Sequence, residues 1–353
     1  MRVAVRADSG AGIGSGHVMR CLTLALALRK RGVTTTFLCR PNPNDLGATV
    51  AAQGFEVLRL DGAASPVGAP GAAAADDAAE TSRLLEATGH YDWLIVDHYG
   101  LDRRWEEAVT PAVGSLFVLD DLGDRPHTCT ALSDPLPGPN AVLRARYGET
   151  RAEDLLLGST YAPVRDEFWQ ARAARGRPAD LMEGKRVVHL YFGSASGGHD
   201  LRFTRLIARA FPDLEVQVLA PGVDAGAADE IEWTFPGRVR VTGHTSSMAT
   251  MLAGCTIATG APGTTTWERA CLGLPAAYLA TTANQVPLIA HLEEVGFCRD
   301  LGQTTIADEV FVERFRAFLA DRAGLIALRD LAWDEVDGRG TERLAEYLTG
   351  RAA

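Results

Sequence analysis

One histidine stands at the seam between a glycine-rich loop and a helix near the start of the chain. In MRVAVRADSGAGIGSGHVMRCLTLALALRKRG, Val3, Val5 and Ala7 alternate as a short strand, and residues 8–16 form a Gly/Ser loop that ends in Gly14 and Gly16. From His17 onward Val18, Leu22, Leu24, Ala25 and Leu28 recur at helical spacing, until Arg29, Lys30, Arg31 and Gly32 end the helix. Backbone N–H groups at a helix start carry partial positive charge and attract anions. The same field works against imidazolium, so His17 is suited to accept a proton. On its residues alone, His17 reads more readily as part of a helix cap. The loop spacing is not the G-x-G-x-x-G dinucleotide fingerprint.

A second stretch with chemical promise is GAPGTTTWERACLGLP, residues 260–275. A strand ends at Thr259, and Gly263, Thr264, Thr265 and Thr266 open a helix whose N–H and hydroxyl groups suit a diphosphate. Glu268, about one turn further on, suits the vicinal hydroxyls of a ribose. An ordinary capped helix with a solvated Glu268 fits the same residues equally well. Asn284 and Gln285 follow the next strand and either touch phosphate or sugar or make a turn. Gly193 and Ser194 follow the strand VVHLYF, and Gly243 follows the strand 239–242. Asp97, His98 and Tyr99 close the strand DWLIVD, where Asp97 either orients an imidazole or caps the next helix. Asp120 and Asp121 are adjacent on a strand and point to opposite faces, which argues against a shared metal.

These residues need elements to hold them. Strand-like runs at 34–39, 55–60, 92–97 and 115–119 alternate with helical periodicity at 45–53, 76–88 and 105–109. The apolar run DWLIVD is of the kind buried on both faces of a parallel sheet. Residues 61–75 are Ala/Gly/Pro-rich and expected as a surface loop, and residues 138–161 read as irregular. A second alternation follows from 187 to 279. The pattern predicts an α/β chain of two facing Rossmann-like domains with a cleft between them. The expected domains are 1–155 for sugar and catalysis and 156–335 for the nucleotide. Residues 336–353 form a terminal helix that packs back on the first domain. Ligands of open parallel sheets sit beyond the carboxyl ends of the strands, where both glycine loops fall.

The 353 residues are 46% hydrophobic and 23% charged, as in a soluble globular protein. A formal net charge of −10 argues against nucleic acid and anionic membrane surfaces as partners, but not against an anionic small molecule. The six cysteines are scattered without a C-x-x-C, which argues against a disulfide framework or a metal site. His127 and Cys129 read as structural. Neither a signal peptide nor an apolar run of about 20 residues is present, so a cytoplasmic location is expected.

The segments IGSGHVMRCLTLALAL, DWLIVDHYGLDRRWE, LDDLGDRPHTC, YAPVRDEFW, TTTWERACLGLP and ANQ together resemble the UDP-sugar hydrolase family of the pseudaminic acid pathway. The resemblance runs in order over about residues 2–296. That family cleaves UDP-2,4-diacetamido-2,4,6-trideoxy-β-L-altrose to UDP and free sugar. The resemblance implies the glycosyltransferase-B architecture, kinship with the peptidoglycan N-acetylglucosaminyltransferase, and no metal or cofactor. It implies a UDP-sugar partner, with His17 as the base that activates water. It matches the nucleotide segment to residues 263–268, with Asn284 and Gln285 nearby.

Direct displacement of UDP with inversion is then expected, with the Gly193 loop and residues 264–266 holding the leaving group. Arg6, Asp8, Gly14, Gly16, His98 and Tyr99 are expected to shape the sugar site, with Asp97 or Asp121 fixing the tautomer of His17. The alternatives are a glycosyltransferase with a small-molecule acceptor, and a non-catalytic nucleotide-sugar binder. A monomer or weak dimer is expected. Two segments depart from the family pattern, TCTALSDPLPGPN and FGSASGGHD, both expected in loops at the cleft. With Pro135, Pro137 and Pro139 removing backbone donors, a sugar other than the diacetamido-altrose is expected.

Overall fold

The computed structural model describes residues 1–61, 72–178, 185–194, 197–245 and 247–351. Most of the low-complexity stretch 61–75, and Ala195 and Ser196 of FGSASGGHD, lie outside the described residues. The chain forms two compact units, Met1–Pro163 with Arg339–Ala353, and Val164–Gly338.

The first unit begins β1 (Arg2–Ala7), α1 (Gly16–Lys30), β2 (Thr34–Cys39), α2 (Gly47–Ala52) and β3 (Glu56–Arg59). It continues α3 (Ala72–Thr88), β4 (Trp93–Asp97), α4 (Arg103–Val109), β5 (Ser115–Leu119) and β6 (Thr128–Asp134). It then adds α5 (Asn140–Arg146) and β7 (Arg151–Leu157). The strands form one parallel sheet in the order β3-β2-β1-β4-β5-β6-β7. Every residue of β4 is buried, which explains its unbroken apolar run. The strand order reverses at β1 and β4, and Ala7 pairs with Asp97 there. The segments leaving these two strands therefore emerge side by side at a topological switch point.

Two expectations are corrected here. Residues 138–161 are not irregular: they contain α5 and β7, and the unit runs to Pro163. As the edge strand of the sheet, β7 carries Arg151, Glu153 and Asp154, charges that guard an open edge and hide its strand pattern. Residues 128–134 of the segment TCTALSDPLPGPN are not a loop either, but the inner strand β6, with Ala131, Leu132, Ser133 and Asp134 buried. Much of that departure therefore lies within the sheet and not in a loop.

The second unit comprises α6 (Asp166–Arg175), β8 (Arg186–Tyr191), α7 (His199–Ala210), β9 (Leu214–Leu219), α8 (Ala225–Thr234) and β10 (Val239–Thr242). It continues α9 (Met248–Ala253), β11 (Ile257–Gly260), α10 (Thr264–Cys271), β12 (Ala276–Ala280) and α11 (Gln285–Glu294). β13 (Arg299–Gln303), α12 (Asp308–Ala320) and α13 (Arg322–Glu335) complete it. Its parallel sheet has the order β10-β9-β8-β11-β12-β13, reversing at β8 and β11. Gly260 ends β11 at φ +124°, where a Cβ would lie 2.0 Å from the Tyr191 carbonyl of β8. Only glycine fits this approach.

The last helix, α14 (Gly340–Gly350), belongs to the first unit. Its Leu344, Ala345 and Leu348 share a core with Val18, Cys21, Leu22 and Ala25 of α1.

Beside β5 and β6, Tyr147 Oη lies 3.1 Å from Asp120 Oδ2 and 2.9 Å from Asp134 Oδ2. A hydroxyl has one proton to give, so one carboxyl must supply its own. Burial pushes Asp134 up to about 7, whereas Asp120, despite burial, is held below the usual range by the Arg125 guanidinium. The folded pKa of Asp134 thus exceeds its unfolded value, near 4. Its contribution to stability is complete below about pH 4 and is lost as pH rises through about 7, at about 1.4 kcal/mol per pH unit. Asp134→Asn should therefore gain stability relative to wild type between pH 5 and 8, measured by denaturant titration at each pH. A difference that does not change with pH would show that Asp134 is ionised in the folded protein.

Candidate active site

The loop after β1 is folded on itself by paired Gly10–Gly14 backbone bonds of 2.9 and 2.8 Å, and is tied to Pro43 O through Ala11 N–H at 2.9 Å. It delivers Gly16 and His17 into the first turn of α1. His17 is 5% exposed, and its Nδ1 lies 2.5 Å from Oδ1 of Asp97, the last residue of β4. Arg20, three residues further along α1, grips the same carboxylate through Nε at 2.5 Å and NH2 at 2.7 Å. Its NH1 donates to Asp121 Oδ2 at 2.6 Å. Tyr99 closes the ring, donating to Asp121 Oδ1 at 2.9 Å and standing edge-on to His17 at 4.4 Å.

The electrostatics follow from this geometry. Burial alone would raise the Asp97 pKa, but Arg20 and then His17 hold it well below the usual carboxylate range. An ionised Asp97 can only accept, so Nδ1 carries a proton, and Nε2 is the nitrogen whose lone pair the neutral ring offers. Among the described residues Nε2 has no hydrogen-bond partner. Of the two candidate orienting carboxylates, Asp97 touches His17, while Asp121 braces Arg20 and Tyr99.

Arg6 and Asp8 are placed differently from expectation. They form a bidentate pair at 2.6 and 2.9 Å and are 1% and 0% exposed. Arg6 also donates to Asp77 Oδ2 at 2.6 Å, and Arg40 donates through Nε to Asp77 at 2.9 Å and through its backbone N–H to Asp8 at 2.8 Å. These groups are a buried strut beneath the site and do not line it. His98 stands against the strut: Nδ1 accepts from Gly100 N–H at 3.0 Å, and Nε2 faces Asp8 Oδ2 at 3.5 Å. Burial holds its pKa below the usual histidine value. Both its nitrogens are engaged, so it has no lone pair to offer as a base.

In the second unit the segments after β8, β11 and β12 carry Gly193 and Ser194, residues 263–268, and Asn284 with Gln285. These strands are neighbours, whereas Gly243 follows β10, with β9 between it and β8. Gly263 N–H donates to Thr266 Oγ1 at 3.2 Å, fixing the start of α10. The N–H groups of Thr264 and Thr265 have no backbone partner among the described residues. Glu268 is buried, not solvated, and its Oε1 accepts from Arg165 Nε at 2.7 Å. Burial pushes its pKa up, against the pull of Arg165. Gln285 is spent inside the protein. Its Oε1 accepts from Thr281 N–H at 2.8 Å, and its Nε2 donates to Pro262 O at 3.2 Å, stapling two loops.

Arg20, Arg40, Asp77 and Arg165 were not singled out from the sequence. Arg20 had a signal, a charge on the apolar face of α1, one turn from His17. Among the described residues, no group of three or more His, Cys, Asp or Glu side chains is placed to hold a metal ion. No described helix is long and apolar enough to cross a membrane.

The geometry assigns opposite tautomers to two neighbouring histidines. Long-range 1H–15N spectra of 15N-histidine-labelled protein should show His17 protonated on Nδ1 and His98 on Nε2. A proton on Nε2 of His17 would mean that Asp97 does not set its tautomer.

No protein-family model matches the chain. A UDP-2,4-diacetamido-2,4,6-trideoxy-β-L-altropyranose hydrolase of Campylobacter jejuni is 27% identical over 217 residues, 60% of this chain and 69% of that protein. An uncharacterized protein of Methanocaldococcus jannaschii is 19% identical over 287 residues, 79% of this chain, and the match spans 55% of that relative. MurG of Acinetobacter baumannii superimposes with a TM-score of 0.69 at 14% identity, over 99% of this chain and all of the other. CalG4, the calicheamicin glycosyltransferase, does so with a TM-score of 0.64 at 16% identity, over 100% of this chain and 99% of its own. A UDP-GlcNAc 2-epimerase of Neisseria meningitidis bound to UDP-GlcNAc gives 0.54 at 11%, over 99% and 100%. The chain is thus similar in sequence to a UDP-sugar hydrolase, and its two parallel-sheet α/β domains have the glycosyltransferase-B fold.

Proposed function

We propose that the protein is a UDP-sugar hydrolase in which His17 activates water. The observation that carries this reading is the Nδ1–Asp97 bond, which leaves the second ring nitrogen of a buried histidine as an acceptor. Water gives a proton to Nε2 as its oxygen bonds to the anomeric carbon. The bond from that carbon to the β-phosphate oxygen breaks, its electron pair leaves with UDP, and the anomeric configuration inverts. Asp97 stays ionised and steadies the imidazolium that forms. Arg20 keeps Asp97 in place.

The developing charge on UDP meets the N–H groups of Thr264 and Thr265, a donor pair at a helix start. Glu268, with Oε1 on Arg165, offers its other oxygen to the ribose hydroxyls. Sequence similarity to a UDP-sugar hydrolase supports water as the acceptor. The likeness to glycosyltransferase structures favours a second reading, in which the same histidine activates an acceptor hydroxyl.

Purified protein given a panel of UDP-sugars, with and without acceptors, separates the two. UDP and free sugar formed without acceptor are expected, and turnover only with an acceptor would favour transfer. His17→Asn should keep the fold and UDP affinity while turnover falls by about two orders of magnitude or more. Turnover near wild type would remove His17 from the mechanism.

A further inference from the structure

The second unit buries a cation that no carboxylate of the described residues contacts. Arg269 of α10 is 0% exposed. Its NH1 donates to Ala261 O at 3.2 Å, and its NH2 donates to Thr259 O at 3.2 Å and Tyr191 O at 3.3 Å. Its Nε has no hydrogen-bond partner among the described residues. Nor does any carboxylate oxygen there lie within 4.0 Å of the guanidinium. The adjacent Glu268 feels the Arg269 charge, but its hydrogen bond goes to another cation. Glu268 and Glu167 are on Arg165, and Asp200 Oδ1 accepts from Phe192 N–H. His189, fully buried on β8, has neither ring nitrogen bonded, and burial followed by the Arg269 charge keeps it from gaining a proton.

A buried charge is normally paired, because leaving it unpaired is expensive. Carbonyl oxygens alone could be satisfied by neutral donors. The place of this charge is informative. Its three carbonyls belong to the ends of β8 and β11 and to the turn into α10, the switch point of this sheet. Three residues beyond Ala261, at Thr264, begin the N–H groups that have no backbone partner among the described residues.

We propose that the counter-charge of Arg269 is the ligand. Arg269 is a positioning residue that holds residues 259–261 through their carbonyls. From beneath, it adds a full positive charge to the helix-start field that receives a diphosphate. This inference rests on the nucleotide-binding reading above. It predicts selectivity for the charged part of the ligand, because the uncharged nucleoside gains nothing from the buried charge.

The test compares UDP, by calorimetry, with uridine, by ligand-detected NMR, on wild type, Arg269→Met and Arg269→Lys. UDP affinity should fall about tenfold or more in Arg269→Met, with uridine affinity within about twofold. Arg269→Lys, which keeps the charge with fewer donors, should keep most of the preference for UDP over uridine. Equal losses for UDP and uridine, or unchanged UDP affinity in Arg269→Met, would reduce Arg269 to a carbonyl clamp and overturn the proposal. If Arg269→Met does not fold, Arg269→Gln supplies the neutral side chain for the same comparison. Failure of the wild type to bind UDP at all would instead overturn the nucleotide reading, and this inference with it.

Discussion

A single buried carboxylate, Asp97, organises the first unit. It ends a strand that is buried along its whole length, and it accepts from His17 and twice from Arg20. A carboxylate with no exposure is tolerable only when its lone pairs are filled, and losing one partner of such a pair costs about 3–5 kcal/mol. The rest of the unit can be read as the means of filling them. Pairing of Ala7 with Asp97 sets β1 beside β4, and the folded Gly10–Gly14 loop returns the chain so that α1 starts above that carboxylate. Spacing of three residues on α1 then brings His17 and Arg20 to the same side chain. The packing of α14 against α1 holds that helix from behind.

The charge pairs nearby divide into two layers with different work. Asp97, Arg20, Asp121 and Tyr99 surround the imidazole. Arg6, Asp8, Asp77 and Arg40 lie behind it and are closed on one another, with Trp105 Nε1 donating to Asp77 at 2.9 Å. A closed network of this kind fixes geometry and offers little to a ligand. In the second unit the arrangement is reversed. There the buried cation Arg269 donates to carbonyl oxygens and lies over the Tyr278 ring, and the N–H groups of Thr264 and Thr265 have no backbone partner among the described residues. In the proposed function one unit supplies a proton acceptor and the other a preference for anions, each at the switch point of its own sheet.

Much of this was legible in the sequence where burial and periodicity agree. DWLIVD, SLFVL and VVHLYF are inner strands of the kind their apolar runs predict, and the Gly/Ser loop with His17 at its end is the strand-to-helix turn expected. The misses have physical causes. β6 reads TCTALSD, whose buried Ser133 and Asp134 and half-buried threonines leave no apolar signature. β7 is an edge strand whose charges mask its pairing. Asp97 and Asp121 were equivalent on paper because each follows an apolar run, and only strand order separates them: β4 adjoins β1, while β5 is one strand further away. Arg6, Asp8 and Gln285 have the chemistry of ligand-binding groups but spend it within the protein, a distinction that depends on contacts distant in sequence. Arg269 sits in a segment read for its threonines and glutamate, and nothing in its spacing announces that no described carboxylate bonds it.

The central claim is that a water activated at His17 attacks the sugar carbon and not the phosphorus. Turnover of a UDP-sugar in water enriched in 18O, followed by mass spectrometry and NMR of both products, tests it directly. The account predicts one 18O in the anomeric hydroxyl of a released sugar of inverted configuration, with unlabelled UDP. Label in the β-phosphate of UDP would place the attack at phosphorus and contradict the account.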